Sequence, residues 1–293
     1  MHKSRNFEPL SRPLPSKTNM QLLDLFPVVV LYRCQLHEAE SYTSFLAKSP
    51  FRAFMVYDNS PSDFLFDETR LPPNAVYQRN LNNGGVSAAY NCAAAYASEH
   101  GFTHLLLLDQ DTHFPENALS SYLASEASDT LVAPRLVTHS GVPFSPVTAQ
   151  AFNLRGVHLS PGEYDLTKYS PVNCGMCISL AAFHRVGGYN PRVALDYADF
   201  EFSRRMAAVF PRFRVLDLEI EQDFSNDEQR IDLLSARFSR YLNSARAVTV
   251  HSLGDRLRLI YQIAKHTLAL SWRTRSVCFL KILFRQLLCN SNA

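Results

Sequence analysis

The sequence lacks any apolar run approaching the roughly 18 residues that a bilayer-spanning helix needs. A chain of this kind can rest on a membrane but is not expected to cross one. The first residues, "MHKSRNFEPLSRPLPSKTN", are polar and proline-bearing and lack an apolar core, so they are not expected to be a secretory signal. Cysteine is sparse and scattered: Cys34, Cys92, Cys174, Cys177, Cys278 and Cys289 in 293 residues. A chain of this length needs no disulfide framework, and a reducing cytoplasm is its expected home. Repeats and low-complexity tracts are missing. The net charge is only +2, which gives no ground for a nucleic-acid partner.

Apolar residues make up 46% and charged residues 19%, enough for an ordinary core in one large or two small domains. The charge is unevenly placed. From Arg230 onward there are 11 basic residues and two acids, Asp232 and Asp255, so the tail carries +9 and the rest of the chain −7.

From "FPVVVLY" (26–32) the chain alternates. A helical pattern follows over 37–48, strands over 51–58 and 74–79, and an alanine-rich helix over 85–101, closed by Gly101. A strand over 103–109, a helix over 115–127 and a strand over 130–137 complete the series. Short strands apolar on both faces, alternating with helices, predict an α/β fold with a Rossmann-like, mainly parallel sheet. Residues 138–173, rich in Pro, Ser and Thr, predict irregular structure or a hairpin, and the pattern beyond about 228 is helical. Three parts are expected: a flexible extension over 1–24, an α/β domain over 25–229, and a basic helical tail over 230–293.

In such sheets ligands bind beyond the carboxyl ends of the strands. Polar residues fall there: "YRC" with Tyr32, "YDNS" with Asp58, and "DQDT" with Asp109 and Asp111. Gly84 and Gly85, after "NLNN", allow close backbone approach at a helix start, which suits a nucleotide. Asp109 and Asp111 alternate on an extended end, with Gln110 turned away. Two carboxylates without a basic neighbour repel each other, and a hard divalent cation, Mg²⁺ or Mn²⁺, would resolve that. A second acidic cluster, "ALDYADFEFSRRM", places Asp196, Asp199 and Glu201 before Arg204 and Arg205. The spacing allows plain helix capping, and it also allows a general base beside an acceptor hydroxyl.

The series "VVVLYR", "VYDNS", "NNGGVSAAYNCAAAYA", "LLLLDQDT", "NCGMCIS" and "VGGYNPRVALDYADFEFSRRM" resembles the inverting GT-A glycosyltransferases of family 2. The likeness covers roughly residues 26 to 226, and "LDQDT" resembles the bacterial rhamnosyltransferase-like branch. The resemblance implies a nucleotide-sugar donor, dTDP-rhamnose or a UDP-hexose, and a glycan or lipid-linked saccharide acceptor. It implies that Asp58 contacts the base or ribose, with Asn83 and Gly85 lining that pocket and Asn91 supporting it. Asp109 would lie by the ribose or metal, and Asp111 would be the direct metal ligand. Asp199 would be the catalytic base, with Asp196 as second choice. Glu201 and Arg204 would hold the helix or the diphosphate, and residues 172–179, with Gly175 allowing close approach, would floor the acceptor side. One departure stands out: where family members often carry a histidine, this chain has Gln222, flanked by Glu221 and Asp223.

Cys174 and Cys177 lack the second pair that would argue for zinc and are expected to be small buried residues. Trp272 is expected to pack, and His113 stands within reach of a phosphate at the D-x-D. The tail predicts basic amphipathic helices, with Leu257, Ile260, Tyr261, Ala264 and Leu268 on one face, suited to the inner surface of a bacterial cytoplasmic membrane. Two rivals remain: a non-catalytic relative that binds sugar nucleotides or partner enzymes, and a nucleotidyltransferase. The second is disfavoured because "LYRCQLHEAES" lacks a glycine-rich loop with Arg and Lys after the first strand.

Overall fold

The computed structural model describes residues 18–149, 155–222, 230–250 and 252–288. The first half comprises β1 (Leu25–Leu31), α1 (Glu40–Ser44), β2 (Phe54–Asp58), β3 (Ala75–Arg79), α2 (Gly85–Glu99) and β4 (His104–Asp109). Then come β5 (Thr112–His113), α3 (Ala118–Leu123), β6 (Leu131–Val137), β7 (Pro143–Ser145), β8 (Val147–Thr148), β9 (Gly162–Asp165), β10 (Tyr169–Ser170) and β11 (Cys177–Ser179). The chain continues through α4 (Leu180–Arg185), α5 (Ala198–Val209), β12 (Arg212–Gln222), α6 (Ile231–Ala247), α7 (Leu253–Thr274) and α8 (Cys278–Leu288).

The main sheet runs β3-β2-β1-β4-β11-β6-β12-β5. β3, β2, β1 and β4 are parallel, as are β6 and β12. β11 is antiparallel to both neighbours, β4 and β6, an inversion that the alternating sequence pattern did not announce. The leucine run explains why β4 lies centrally. Leu105 and Leu107 join one core with Phe26, Ala89, Ala93 and Ala97. Leu106 and Leu108 join a second with Phe114, Tyr122 and Val132. Both faces of β4 are therefore dry, and each buried leucine contributes about 2 kcal/mol. The alanines of α2 let that helix lie close on the first face.

One local expectation is corrected, and two regions gain detail. The helix expected over 37–48 is interrupted: α1 is flanked by 3-10 turns at Leu36–Glu38 and Leu46–Lys48. Its ends are held by tertiary bonds instead, from Glu40 N to Gln110 O (2.7 Å) and from Phe114 N to Ser44 Oγ (3.0 Å). Within 138–149 and 155–173, where irregular structure or a hairpin was expected, the chain carries short strands: β7 pairs antiparallel with β6, and β8 and β10 form a separate antiparallel two-stranded sheet. The N-terminal extension is anchored over its last residues: Met20 is buried, its N–H donates to Ser125 O (2.9 Å), and Ala127 N donates to Thr18 O (2.8 Å).

The tail folds onto the domain. Leu234, Phe238, Tyr241, Leu242, Leu270 and Phe279 form a core among α6, α7 and α8, while Ala245, Val248 and Leu259 join the core of the sheet. No helix among the described residues is long and apolar enough to cross a membrane.

Two glycines separate conformational strain from crowding. Gly101 has φ +74°, with open space where a Cβ would go; Gly85 has φ +72°, but its Cβ would lie 2.1 Å from Ala194 O. Gly101→Ala should cost about 1 kcal/mol from backbone strain alone. Gly85→Ala should cost about 1–3 kcal/mol more from overpacking. Urea denaturation of both variants checks this, and equal losses would mean that the Ala194 loop yields freely.

Candidate active site

The carboxyl ends of β1, β2 and β4 point the same way, and the segment carrying the second acidic cluster is fastened over them. Ala194 is the fastener. Its carbonyl accepts from Ser87 N (3.4 Å) in the first turn of α2, and Ser87 Oγ donates to Val193 O (2.6 Å). The first turn of α2 thus meets protein backbone, and the missing Cβ and positive φ of Gly85 make room for that contact. Asn91 repeats the device one face along: its Oδ1 accepts from Tyr189 N and its Nδ2 donates to Tyr189 O, both at 2.8 Å. It holds the loop before α5.

Asp109, partly buried at the end of β4, has its carboxyl pushed up to about 7. Burial is the main cause, and the charge of Asp111 adds to it. Asp111 is exposed. Gln110 points elsewhere: its Oε1 accepts from Tyr32 N (2.8 Å), and Tyr32 itself is exposed at the end of β1. Asp199, in the first turn of α5, is pushed up to about 6, chiefly by burial, against the Phe200 N–H that donates to its Oδ1 (2.7 Å). The charge of Asp199 is a minor contributor to the rise at Asp109, which puts the two acids in the same region. Tyr90 and Tyr189 feel both acids as well. The structure brings together residues that the sequence kept far apart.

Other expected site residues are placed differently. Asp58 is fully buried, its Oδ2 accepting from Tyr77 OH (2.9 Å) and lying 3.5 Å from Arg79 Nε, its Oδ1 accepting from Ser60 N (2.8 Å). It shapes the β2 end instead of lying open to a ligand. Asn83 adopts φ +47° in the turn before α2. Gly175 is buried, and a Cβ there would meet Pro134 Cγ at 2.6 Å and Tyr122 Oη at 3.0 Å, so packing alone calls for glycine. Arg204 turns away from the sheet to Asp255 of α7 (3.3 Å), and Glu201 is spent on a bidentate pair with Arg205 (2.8 and 2.7 Å). Asp196 has a buried Oδ2 without a hydrogen-bond partner and feels Arg237 and Arg240 of α6. His113 is paired with Glu40 (2.5 Å), and Cys174 and Cys177 are both buried.

Two residues carry more than their sequence context suggested. Tyr90 is fully buried on α2, and its hydroxyl faces Asp109 closely enough to hold that carboxyl down in part. Only its place on the same face of α2 as Ala93 and Ala97 could have hinted at this. Gln222, at the end of β12, donates from Nε2 to Asp111 Oδ1 (3.2 Å) and also lowers the Asp109 carboxyl. The amide thus lies over both acids. Asp223 is outside the described residues.

The donor set fits a hard cation that takes most of its ligands from a bound substrate. The charge of Asp111 opposes the ionisation of Asp109, which a cation would relieve. Among the described residues no group of three His, Cys, Asp or Glu comes together to hold a metal alone.

No family model and no curated protein matches the chain. Solved structures with a similar fold include GalNAc-T7 with UDP, GalNAc and Mn²⁺ (TM-score 0.52, 13% identity, covering 75% of this chain and 48% of that one). The mannosyltransferase PcManGT from Pyrobaculum calidifontis with GDP-Man and Mn²⁺ has a TM-score of 0.49 at 13% identity, covering 94% of this chain and 79% of that one. S. aureus TarS 1–349 has a TM-score of 0.48 at 14% identity, covering 80% and 69%. The chain spans about half the length of the GalNAc-T7 structure. The fold is that of the GT-A glycosyltransferases, with a C-terminal helical region. The likeness does not single out family 2 or its rhamnosyltransferase-like branch.

The raised carboxyls make stability depend on pH. The unfolded Asp ionises near pH 4, whereas folded Asp109 holds its proton to about 7, so folding takes up a proton in between. In metal-free protein, stability should fall as pH rises from about 4 to 7. Asp109→Asn should flatten that slope and be more stable than wild type at pH 8, by an amount of the order of 2 kcal/mol. Thermal melts in a chelator across this range test it; an unchanged slope would mean that Asp109 ionises normally.

Proposed function

We propose that the chain is an inverting glycosyltransferase that moves a sugar from a nucleotide-diphospho-sugar to a hydroxyl of a glycan or lipid-linked saccharide. The observation that carries this is the convergence of Asp109 and Asp199, two carboxyls of raised affinity for protons, on one region at the strand ends of a GT-A fold. A carboxyl that ionises near 6 is charged at neutral pH yet basic enough to take a proton, which suits Asp199 to general-base work. The neighbours whose structures contain UDP, GDP-Man and Mn²⁺ support a nucleotide-sugar donor and a divalent cation.

In this reading Asp199 accepts the proton of the acceptor hydroxyl. The hydroxyl oxygen then attacks the anomeric carbon from the face opposite the diphosphate, the glycosidic bond to the diphosphate breaks, and the configuration inverts. Asp196, behind the base, keeps α5 set against α6. Asp111 and Asp109 would hold Mg²⁺ or Mn²⁺, which when bound supplies neutralising charge to the leaving diphosphate, a contribution of several kcal/mol in such sites. Tyr32 and Asn83 flank the donor, and the turn shaped by Asp58 forms its floor. The "LDQDT" signature favours dTDP-rhamnose or a UDP-hexose as donor and a bacterial surface glycan as product. The enzyme would then work on the inner face of the cytoplasmic membrane.

A second reading, a relative that binds sugar nucleotides without turnover, is favoured by Gln222, whose amide occupies Asp111 where a cation would sit. Titration calorimetry with UDP and dTDP, with and without Mn²⁺, combined with sugar-nucleotide hydrolysis, separates the two. The transferase reading expects metal-dependent binding and slow hydrolysis. Asp111→Asn should weaken the metal-dependent part about tenfold or more, whereas Asp199→Asn should leave donor affinity nearly intact and lower turnover by about 10²–10⁴-fold. Binding with no hydrolysis and no transfer to any acceptor would favour the second reading. Unchanged turnover in Asp199→Asn would remove that residue from its role.

A further inference from the structure

The tail leaves one helix face uncovered. Leu253, Leu257, Ile260 with its neighbour Tyr261, Ala264, Leu268 and Trp272 follow the helical repeat along α7, a single stripe about five turns long. All of them are exposed: Leu257 by 58%, Tyr261 by 63%, Leu268 by 61% and Trp272 by 89%. The opposite side of α7, through Leu259, Thr267 and Leu270, is buried against the rest of the protein. The expectation that Trp272 packs is therefore overturned, since the one tryptophan of the chain stands almost wholly in the open.

Charge says what covers this stripe. Exposed Arg256, Arg258 and Lys265 lie along its margins, and Arg275, Lys281 and Arg285 follow at the turn and on α8. The single acid of α7, Asp255, is turned inward to Arg204. The stripe ends in an open cavity lined by Ser271, Trp272 and Arg275, where the Ser271 hydroxyl is buried without a hydrogen-bond partner. A second copy of the chain would bring the same positive margins face to face. An apolar stripe bordered by cations and closed by an exposed indole matches the layering of an anionic bilayer surface: acyl chains under the stripe, phosphates at its edges.

We propose that the exposed face of α7 docks on an anionic phospholipid membrane, with Trp272 entering the headgroup boundary and Arg275 and the Ser271 hydroxyl taking a lipid phosphate. The Arg204–Asp255 contact ties this helix to α5, so docking would fix the orientation of the Asp199 region to the lipid surface. The inference rests on the tail alone and holds whether or not the transferase reading does.

The single tryptophan makes the test direct. Full-length protein is mixed with vesicles of phosphatidylcholine alone, or of phosphatidylcholine with phosphatidylglycerol, with or without brominated acyl chains. The emission of Trp272 should shift to the blue and be quenched by bromine only with the anionic vesicles, and salt should reverse this. Leu257→Ser with Leu268→Ser, both exposed positions, should weaken vesicle binding by about tenfold or more while leaving the thermal melt unchanged. Arg275→Glu should weaken it too. No spectral change with anionic vesicles, or binding that ignores both sets of substitutions, would overturn the proposal. So would emission already blue-shifted in lipid-free protein that sediments as a dimer, since the stripe would then belong to a second copy.

Discussion

The site depends on a contact between two pieces of backbone. Ala194 O sits where the Cβ of any residue but glycine at position 85 would be, and Ser87 closes on the same loop with its amide and its hydroxyl. That contact, together with the two hydrogen bonds from the Asn91 side chain to Tyr189, carries the acidic segment to the end of the leucine strand. Without it the sheet would still form, because β1 and β4 are buried on both faces by their own side chains. The two groups of acids would simply belong to different places.

Once the loop is fastened, electrostatics follows from geometry. Asp109 ends a strand whose neighbours are leucines and a buried tyrosine, so its charge is poorly solvated, and Asp111 two residues on adds repulsion. Asp199 is raised for the first of these reasons. Because the charge of Asp111 helps raise the Asp109 carboxyl, a cation bound between the two would bring Asp109 back down. Gln222 moderates the same pair with a neutral amide, a weaker answer than a full positive charge, and it leaves the acids responsive to what binds.

Much of the architecture was legible because it rests on local patterns. "HLLLLD" announces a strand buried on both sides, and the alanines of α2 announce a helix packed tightly on a sheet. The inversion at β11 was not legible: "CIS" is three residues long, and its direction is set by the partners it meets, not by its composition. Among candidate site residues, the D-x-D and Asp199 were proposed from position and resemblance, and the structure places them in one region. The true tasks of Gly85, Gly175 and Arg204 could not, since each answers to a neighbour distant in the chain: Ala194, Pro134 and Asp255. Trp272 was misjudged for the converse reason, because an aromatic residue in an amphipathic helix looks the same whether its face is covered or bare.

The account stands on Asp109 and Asp199 facing one donor-binding cleft. The direct measurement is a carbon-13 NMR titration of the aspartate carboxyls, in free protein and with Mg²⁺ and a nucleoside diphosphate. The account predicts two carboxyls titrating at about 7 and about 6, with the higher one moving down when cation and diphosphate bind and the other staying protonatable. Both carboxyls titrating near 4, as in an unfolded chain, and unmoved by the additions, would contradict it.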